Sequence, residues 1–166
     1  MGDVVRSVAV LGAIVLLLWG VGRFLFGVEP DEPTRTIDHV AAIEASREAV
    51  DFDLLAPEDL PDGWRATSLR VDDDAWHLGV VTDDDEYVGL EQVRESVRTA
   101  VRQLAEGSRP AGDVTVDGER WALRTGPRDD TTFVRRAGDT TVLVTGTASR
   151  AQLERYISSL SSSTPS

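Results

Sequence analysis

The sequence predicts an α+β fold in which one N-terminal transmembrane helix precedes a mostly antiparallel sheet with helices packed on one face. Short runs rich in Val, Thr, Leu and Trp, separated by Asp- or Gly-containing turns, predict the sheet. Longer segments with helical periodicity between these runs predict the helices. A long apolar run near the N-terminus predicts the membrane helix. With 41% hydrophobic and 28% charged residues, the composition is that of a globular protein.

The apolar run covers residues 8–28 and contains one charged side chain, Arg23. A helix of this length reaches about 31 Å, which matches the roughly 30 Å hydrocarbon core of a bilayer. Residues 1–28 are therefore predicted to form a short cytoplasmic stub and a transmembrane helix, with the rest of the chain outside the cytoplasmic membrane. A cleaved signal peptide is the alternative, because Gly20 and Gly22 could precede a cleavage site.

The remaining chain divides into three predicted parts. Residues 29–36 are an acidic linker, because the two prolines of EPDEP prevent a helix from continuing. Residues 37–160 form one extracytoplasmic α+β domain, and residues 161–166 form a disordered Ser-rich tail. Each predicted helix or strand of the domain follows from hydrophobic periodicity and from turn residues, and two successive units of strands followed by a helix suggest a single sheet.

The predicted elements are a helix at Ile37–Val50; strands at Trp64–Val71, Ala75–Thr82 and Glu86–Glu91; an amphipathic helix at Glu91–Glu106; strands at Val114–Val116, Arg120–Thr125, Thr131–Arg136 and Thr140–Thr145; and a last helix that Ser149 caps and that ends at Leu160.

Charge and composition exclude several functional classes. The chain has 17 basic residues, all of them Arg, against 29 acidic residues, and its net charge is -12. Such an acidic chain is not expected to bind nucleic acid, which requires a surplus of positive charge on some face. The absence of Lys excludes Schiff-base chemistry and Walker-type phosphate loops. The absence of Cys excludes thiol nucleophiles and cysteine zinc sites.

Three stretches of the domain resemble a family of short actinobacterial proteins of unknown function. They are Leu55–Val71 (LAPEDLPDGWRATSLRV), His77–Gln92 (HLGVVTDDDEYVGLEQ) and Thr140–Ser149 (TTVLVTGTAS). The resemblance implies a single-pass membrane protein with one N-terminal helix and one extracytoplasmic domain. It implies no activity, cofactor or catalytic residue.

The sequence contains no recognisable catalytic or metal-binding motif. The two histidines, His39 and His77, are far apart in the chain, and neither an HExxH nor a G-x-S-x-G pattern is present. The aspartate triplets at 72–74 and 83–85 lack EF-hand spacing and are predicted to be solvated turn residues rather than Ca²⁺ ligands. We therefore predict no catalytic residue, no metal and no cofactor.

Two sets of side chains are candidates for a ligand or interaction surface. The tryptophans lie in three predicted strands, where they either build the core or line a ligand cleft. The arginines recur at i, i+4 and i+8 of the amphipathic helix, where they form either a solvated face or a docking surface for an acidic partner. The candidates are Trp64, Trp76, Trp121, Arg94, Arg98 and Arg102.

The sequence thus favours a membrane-anchored domain that acts as a non-catalytic binding or protein-interaction module of the cell envelope. Its expected partners are the membrane, through residues 8–28, and an envelope protein or a small-molecule ligand. The alternatives are an envelope hydrolase that uses His77 or paired carboxylates, and an accessory subunit of a membrane complex. A Ser or a carboxylate within hydrogen-bond reach of His77 in a cleft would favour the hydrolase, and full burial of His77 would disfavour it.

Overall fold

The computed structural model describes residues 38–162, in which there are three α-helices and nine β-strands. The transmembrane helix and the linker predicted within residues 1–36 lie outside the described residues, as do residues 163–166 of the predicted tail. No helix within 38–162 is long and apolar enough to cross a bilayer. The elements are α1 (His39–Ala49), β1 (Leu55–Pro57), β2 (Arg65–Asp72), β3 (Ala75–Val81), β4 (Tyr87–Val93), α2 (Val97–Leu104), β5 (Arg109–Val116), β6 (Glu119–Thr125), β7 (Thr131–Ala137), β8 (Thr140–Gly146), α3 (Arg150–Ser158) and β9 (Leu160–Ser162).

Seven of these strands form one sheet in the order β2-β3-β4-β8-β7-β6-β5. Every neighbouring pair in the sheet is antiparallel, so the predicted α+β class with an antiparallel sheet is confirmed. The sheet consists of two meanders, β2–β4 and β5–β8, which meet where β4 pairs with β8. Strands β1 and β9 pair separately as a two-stranded ribbon.

The larger core lies on the back face of the sheet, defined here as the side to which Trp76, Leu78 and Val80 of β3 point. These three side chains are fully buried. Helix α1 contributes Ile43 to this core, and α3 contributes Tyr156. Burial of each large apolar side chain stabilises the fold by about 2 kcal/mol, so this layer is the main source of stability.

A smaller core lies on the front face, to which the alternate residues of β3 point. Helix α2 packs there through Ala100, which belongs to the same buried cluster as Leu143 of β8. The neighbours of Leu143, Val142 and Val144, belong to the back-face core. Because successive strand residues point to opposite faces, α2 lies on the other side of the sheet from α1 and α3. The prediction that all helices pack on one face is therefore wrong.

The physical reason is the composition of β8. Its unbroken apolar run Val142–Val144 is typical of a strand that is buried on both faces, which requires a cover on each side of the sheet.

Several predicted boundaries also differ from the structure: β5 begins at Arg109 rather than at Val114, and the last helix ends at Ser158 rather than at Leu160, which belongs to β9. Helix α2 begins after its cap residue Ser96, whose side chain accepts a hydrogen bond from the Thr99 N–H. The predicted start of this helix at Glu91 is therefore wrong, because residues 91–93 continue β4 and pair with β8. The predicted tail begins too early, because Ser161 and Ser162 belong to β9 and pair with β1.

Gln92 attaches residues 53–55, the segment that leads into the ribbon, to the sheet. Its side chain is fully buried on the back face between β1 and β8. Its Oε1 accepts a hydrogen bond from the Leu55 N–H at 2.9 Å, and its Nε2 donates to the Asp53 carbonyl at 2.8 Å and to Thr140 Oγ1 at 2.9 Å. One amide side chain thereby satisfies three polar groups of two separate chain segments.

Candidate functional site

Three polar side chains converge on the front face of β2, β3 and β4. Ser68 Oγ lies 3.1 Å from His77 Nε2, and His77 Nδ1 lies 2.5 Å from Glu91 Oε1. The register of the sheet produces this arrangement, because His77 stands directly opposite Glu91 and diagonally from Ser68. We call these three residues the serine–histidine–glutamate chain.

A β-bulge at Thr67 brings Ser68 to the front face. Ala66 pairs with Val80 and points to the back face, whereas Ser68 pairs with Gly79 and points to the front. In a regular strand, residues 66 and 68 would share one face. The extra residue in the bulge lets Ala66 remain in the core while Ser68 reaches the histidine.

The hydrogen bonds fix the roles of the two ring nitrogens. An ionised carboxylate only accepts hydrogen bonds, so His77 Nδ1–H donates to Glu91. In the neutral imidazole, Nε2 is then the acceptor for the Ser68 hydroxyl. His77 is buried at 6% exposure, whereas Ser68 is half-buried and the Glu91 side chain is 22% exposed. The imidazole is thus held in place between two side chains that are both partly exposed. The criterion for a hydrolase is met by the hydrogen bonds to a serine and a carboxylate, whereas the burial of the histidine counts against it.

Two paired glycines, Gly79 and Gly89, make room for these groups and for the ring of Tyr87. A Cβ at Gly79 would collide with Ser68 Oγ and would lie 3.1 Å from Tyr87 Oη and 3.3 Å from His77 Nε2. The ring of Tyr87 lies over Gly89, where a Cβ would be 3.2 Å from its Cε1. Three polar atoms of serine, histidine and tyrosine therefore surround one point above Gly79.

Tyr87 keeps its hydroxyl proton in this environment. Burial raises its pKa above the usual value, the negative charge of Glu91 raises it further, and Arg70 opposes the shift. At neutral pH the phenol is therefore a hydrogen-bond donor as well as an acceptor.

Tyr87 also borders a groove with a volume of 640 Å³. The groove lies between the last residues of α2, the turn from β6 to β7, and the ends of β4 and β8. Its apolar lining includes Leu104 and Pro127, and its polar lining includes Arg128 and Asp130. Tyr87 and Leu104 are 40% and 39% exposed, so two large apolar side chains of the groove face solvent.

The candidate tryptophans are all in the back-face core. Trp76 and Trp121 are almost fully buried, and Trp64 is 9% exposed. The Trp64 ring stacks on Tyr156 with centroids 6.0 Å apart, and the Trp121 ring meets Phe133 edge-on. None of the three lines the groove, so the structure places them as core residues rather than at a ligand surface.

The candidate arginines do not form one stripe. Arg98 and Arg102 are exposed on α2, whereas Arg94 precedes that helix in the connection from β4. The Arg94 guanidinium lies 5.6 Å from the Phe52 ring and contacts three carboxylates. These carboxylates belong to Asp51, Asp139 and Asp74, at N–O distances of 2.5, 3.4 and 3.7 Å. Arg94 thus joins three loops instead of facing a partner.

The aspartate triplets are exposed at the turns β2–β3 and β3–β4. Within residues 38–162, no three His, Asp or Glu side chains are grouped so that they could hold a metal ion.

Ser68, Glu91 and Tyr87 are the site residues that the sequence interpretation missed. One signal was present, since counting back from the short acidic turns pairs His77 with Glu91 and with Arg70. The same count places Ser68 diagonally beside His77. In a regular strand Ala66 would then share the front face with Ser68, so this position of Ser68 agrees with a buried Ala66 only if the strand contains a bulge.

Comparison with known proteins places the chain in a family. No curated protein matches it, and no solved structure matches it. Residues 1–160 match the model of a family described as "Protein of unknown function (DUF4245)". Because the match spans nearly the whole sequence, the chain belongs to the DUF4245 family of proteins of unknown function.

Proposed function

We propose that this chain is a membrane-anchored module of the cell envelope whose extracytoplasmic domain binds a small ligand in the groove beside Tyr87. The groove carries the binding proposal, since its volume of 640 Å³ falls within the roughly 300–1,000 Å³ typical of ligand pockets. The apolar run at residues 8–28 supports the anchor, and the resemblance to single-pass actinobacterial proteins supports the compartment.

The lining of the groove indicates the chemistry of the ligand. Tyr87, Leu104 and Pro127 offer an apolar wall, which favours an apolar body. Arg128 and Asp130 lie on the same groove and can fix the orientation of a polar group. A ligand with an apolar chain and a polar end fits this combination.

Native mass spectrometry of the full-length chain isolated from its own membrane tests the binding. We expect a reproducible added mass on the wild type that is lost in Leu104→Glu, because a carboxylate in the apolar wall disfavours an apolar ligand. Val97→Glu is the matched control, since Val97 is similarly exposed on the same helix but does not line the groove. A bare wild-type mass, or an added mass that Leu104→Glu retains, would overturn the binding proposal.

The proposed orientation has its own test, because the chain contains no Cys. We expect a cysteine introduced at the exposed Ser158 to react with a membrane-impermeant maleimide in intact cells. A cysteine introduced at Ser7, before the apolar run, should react only after the membrane is permeabilised. The opposite labelling pattern would contradict the orientation.

A further inference from the structure

We infer that the serine–histidine–glutamate chain hydrolyses a carboxylic ester, with Ser68 as nucleophile, His77 as general base and Glu91 as the carboxylate that positions the histidine. The inference rests on the proposed groove only for the place of the substrate's apolar acyl group. The serine–histidine–glutamate chain has the connectivity that nucleophilic catalysis by serine requires. The nucleophile is hydrogen-bonded to the base, and the base is hydrogen-bonded to an orienting group.

A substrate carbonyl would reach Ser68 Oγ from the solvent side, because the side chains of Ser68, His77 and Tyr87 already fill the space above Gly79. Glycine inside a strand weakens packing, and it is found where a ligand or another backbone approaches closely. Gly79 and Gly89 stand side by side here, in the two strands that carry His77 and Glu91. The two glycines make room for the side chains of Ser68 and Tyr87, which brings the serine hydroxyl and the phenol next to His77.

Tyr87 supplies a donor for the oxyanion. Its Oη lies 3.1 Å from the same point above Gly79, and Tyr87 is one of the residues that line the groove. A phenol that remains protonated can donate a hydrogen bond to the negative charge that develops on the carbonyl oxygen. Tyr87 therefore connects the proposed acyl groove with the reacting centre.

The reaction balances with water as the only co-reactant. Ser68 Oγ bonds to the ester carbonyl carbon while its proton passes to His77 Nε2, and the protonated His77 gives this proton to the departing alcohol oxygen as the ester C–O bond breaks. A water molecule then attacks the acyl group on Ser68, giving one proton to His77. His77 returns that proton to Ser68 Oγ as the acyl C–O bond breaks, and the carboxylic acid leaves.

A fluorophosphonate probe on the full-length chain tests the nucleophile. In this reaction Ser68 Oγ bonds to phosphorus, fluoride leaves, and His77 takes the hydroxyl proton. We expect one adduct, located at Ser68 by peptide mass spectrometry, and no adduct in Ser68→Ala. Ser158→Ala, an exposed serine on α3, should label like the wild type. Absence of an adduct, or an adduct at another serine, would overturn the inference.

Hydrolysis of p-nitrophenyl butyrate tests the positioning residue. We expect Glu91→Gln to lower kcat/KM by about tenfold or more and Glu91→Asp to restore part of the loss, because only a carboxylate holds the required tautomer of His77. Thermal unfolding of both variants reports any change in stability. A merely structural role of Glu91 would lower the Tm of the variants, whereas a positioning role lowers the rate at a similar Tm. Equal rates in Glu91→Gln and the wild type would contradict the role of Glu91.

The variant Tyr87→Phe tests the donor. It keeps the ring over the glycines and should lower the rate about tenfold or more. A rate equal to that of the wild type would remove Tyr87 from the mechanism. The two proposals fail separately: labelling at Ser68 without a retained ligand supports catalysis alone, and a retained ligand without labelling supports binding alone.

Discussion

Replacing Gln92 by leucine tests whether one buried amide holds the β1–β9 ribbon to the sheet. Leucine has a similar volume, so the substitution leaves little cavity. The buried Leu55 N–H loses its acceptor, which costs about 1–3 kcal/mol. The bonds to Asp53 and Thr140 contribute about 1 kcal/mol or less each, since the Asp53 carbonyl belongs to an exposed residue and Thr140 Oγ1 still donates to Ala137.

The expected loss is therefore about 3 kcal/mol. For a domain of this size, each kcal/mol lowers Tm by about 4 °C, so we expect Gln92→Leu to unfold about 12 °C below the wild type. Circular dichroism on the full-length chain measures this difference. Gln103→Leu, the same change at an exposed position of α2, should change stability by less than about 0.5 kcal/mol. A Gln92→Leu variant with the Tm of the control would refute the reasoning.

Three further predictions concern tyrosines and a helix cap. Burial raises the pKa of both tyrosines, Tyr87 and Tyr156, above 10.0, so the folded chain binds more protons than the unfolded chain at alkaline pH. The tyrosines should therefore leave stability unchanged below pH 10 and lower it above, with tyrosinate absorbance appearing on unfolding. Tyr156 Oη has no hydrogen-bond partner within residues 38–162, so Tyr156→Phe should leave Tm unchanged or raise it. The same variant should reduce the loss of stability above pH 10. A fall of several degrees in Tm would reveal a missed partner. Ser149→Ala removes the capping box of α3 and should cost about 1 kcal/mol in urea unfolding, whereas the exposed Ser158→Ala should cost almost nothing.

Local patterns predict the three helices and seven of the nine strands within residues 38–162, because each pattern depends on a few adjacent residues; β1 and β9 are missed, because each has only three residues and its partner lies at the other end of the domain. The Asp-rich turns and the β-branched runs identified β2, β3 and β4, and Ser149 identified the start of α3. The apolar spacing also predicts α2, but it continues backward into β4, because Val93 fits both a helix and a strand pattern.

The site could not be predicted from local patterns because its three members lie on three strands. His77 and Glu91 are 14 positions apart, and they meet only through the register of β3 and β4. Ser68 joins them through a bulge, which has no signal in the residues around Thr67. The side of the sheet chosen by α2 is likewise a tertiary outcome, since it depends on which face of β8 lacks a cover.

The β1–β9 ribbon has a consequence for how the chain folds. It pairs Leu55 with Ser162, so its two strands are about a hundred positions apart in the chain. During synthesis β1 has no partner until the last described residues have left the ribosome, although the meander β2–β4 is already complete. We expect the ribbon to form last and to open first, and its amides to exchange with deuterium before those of β4 and β8.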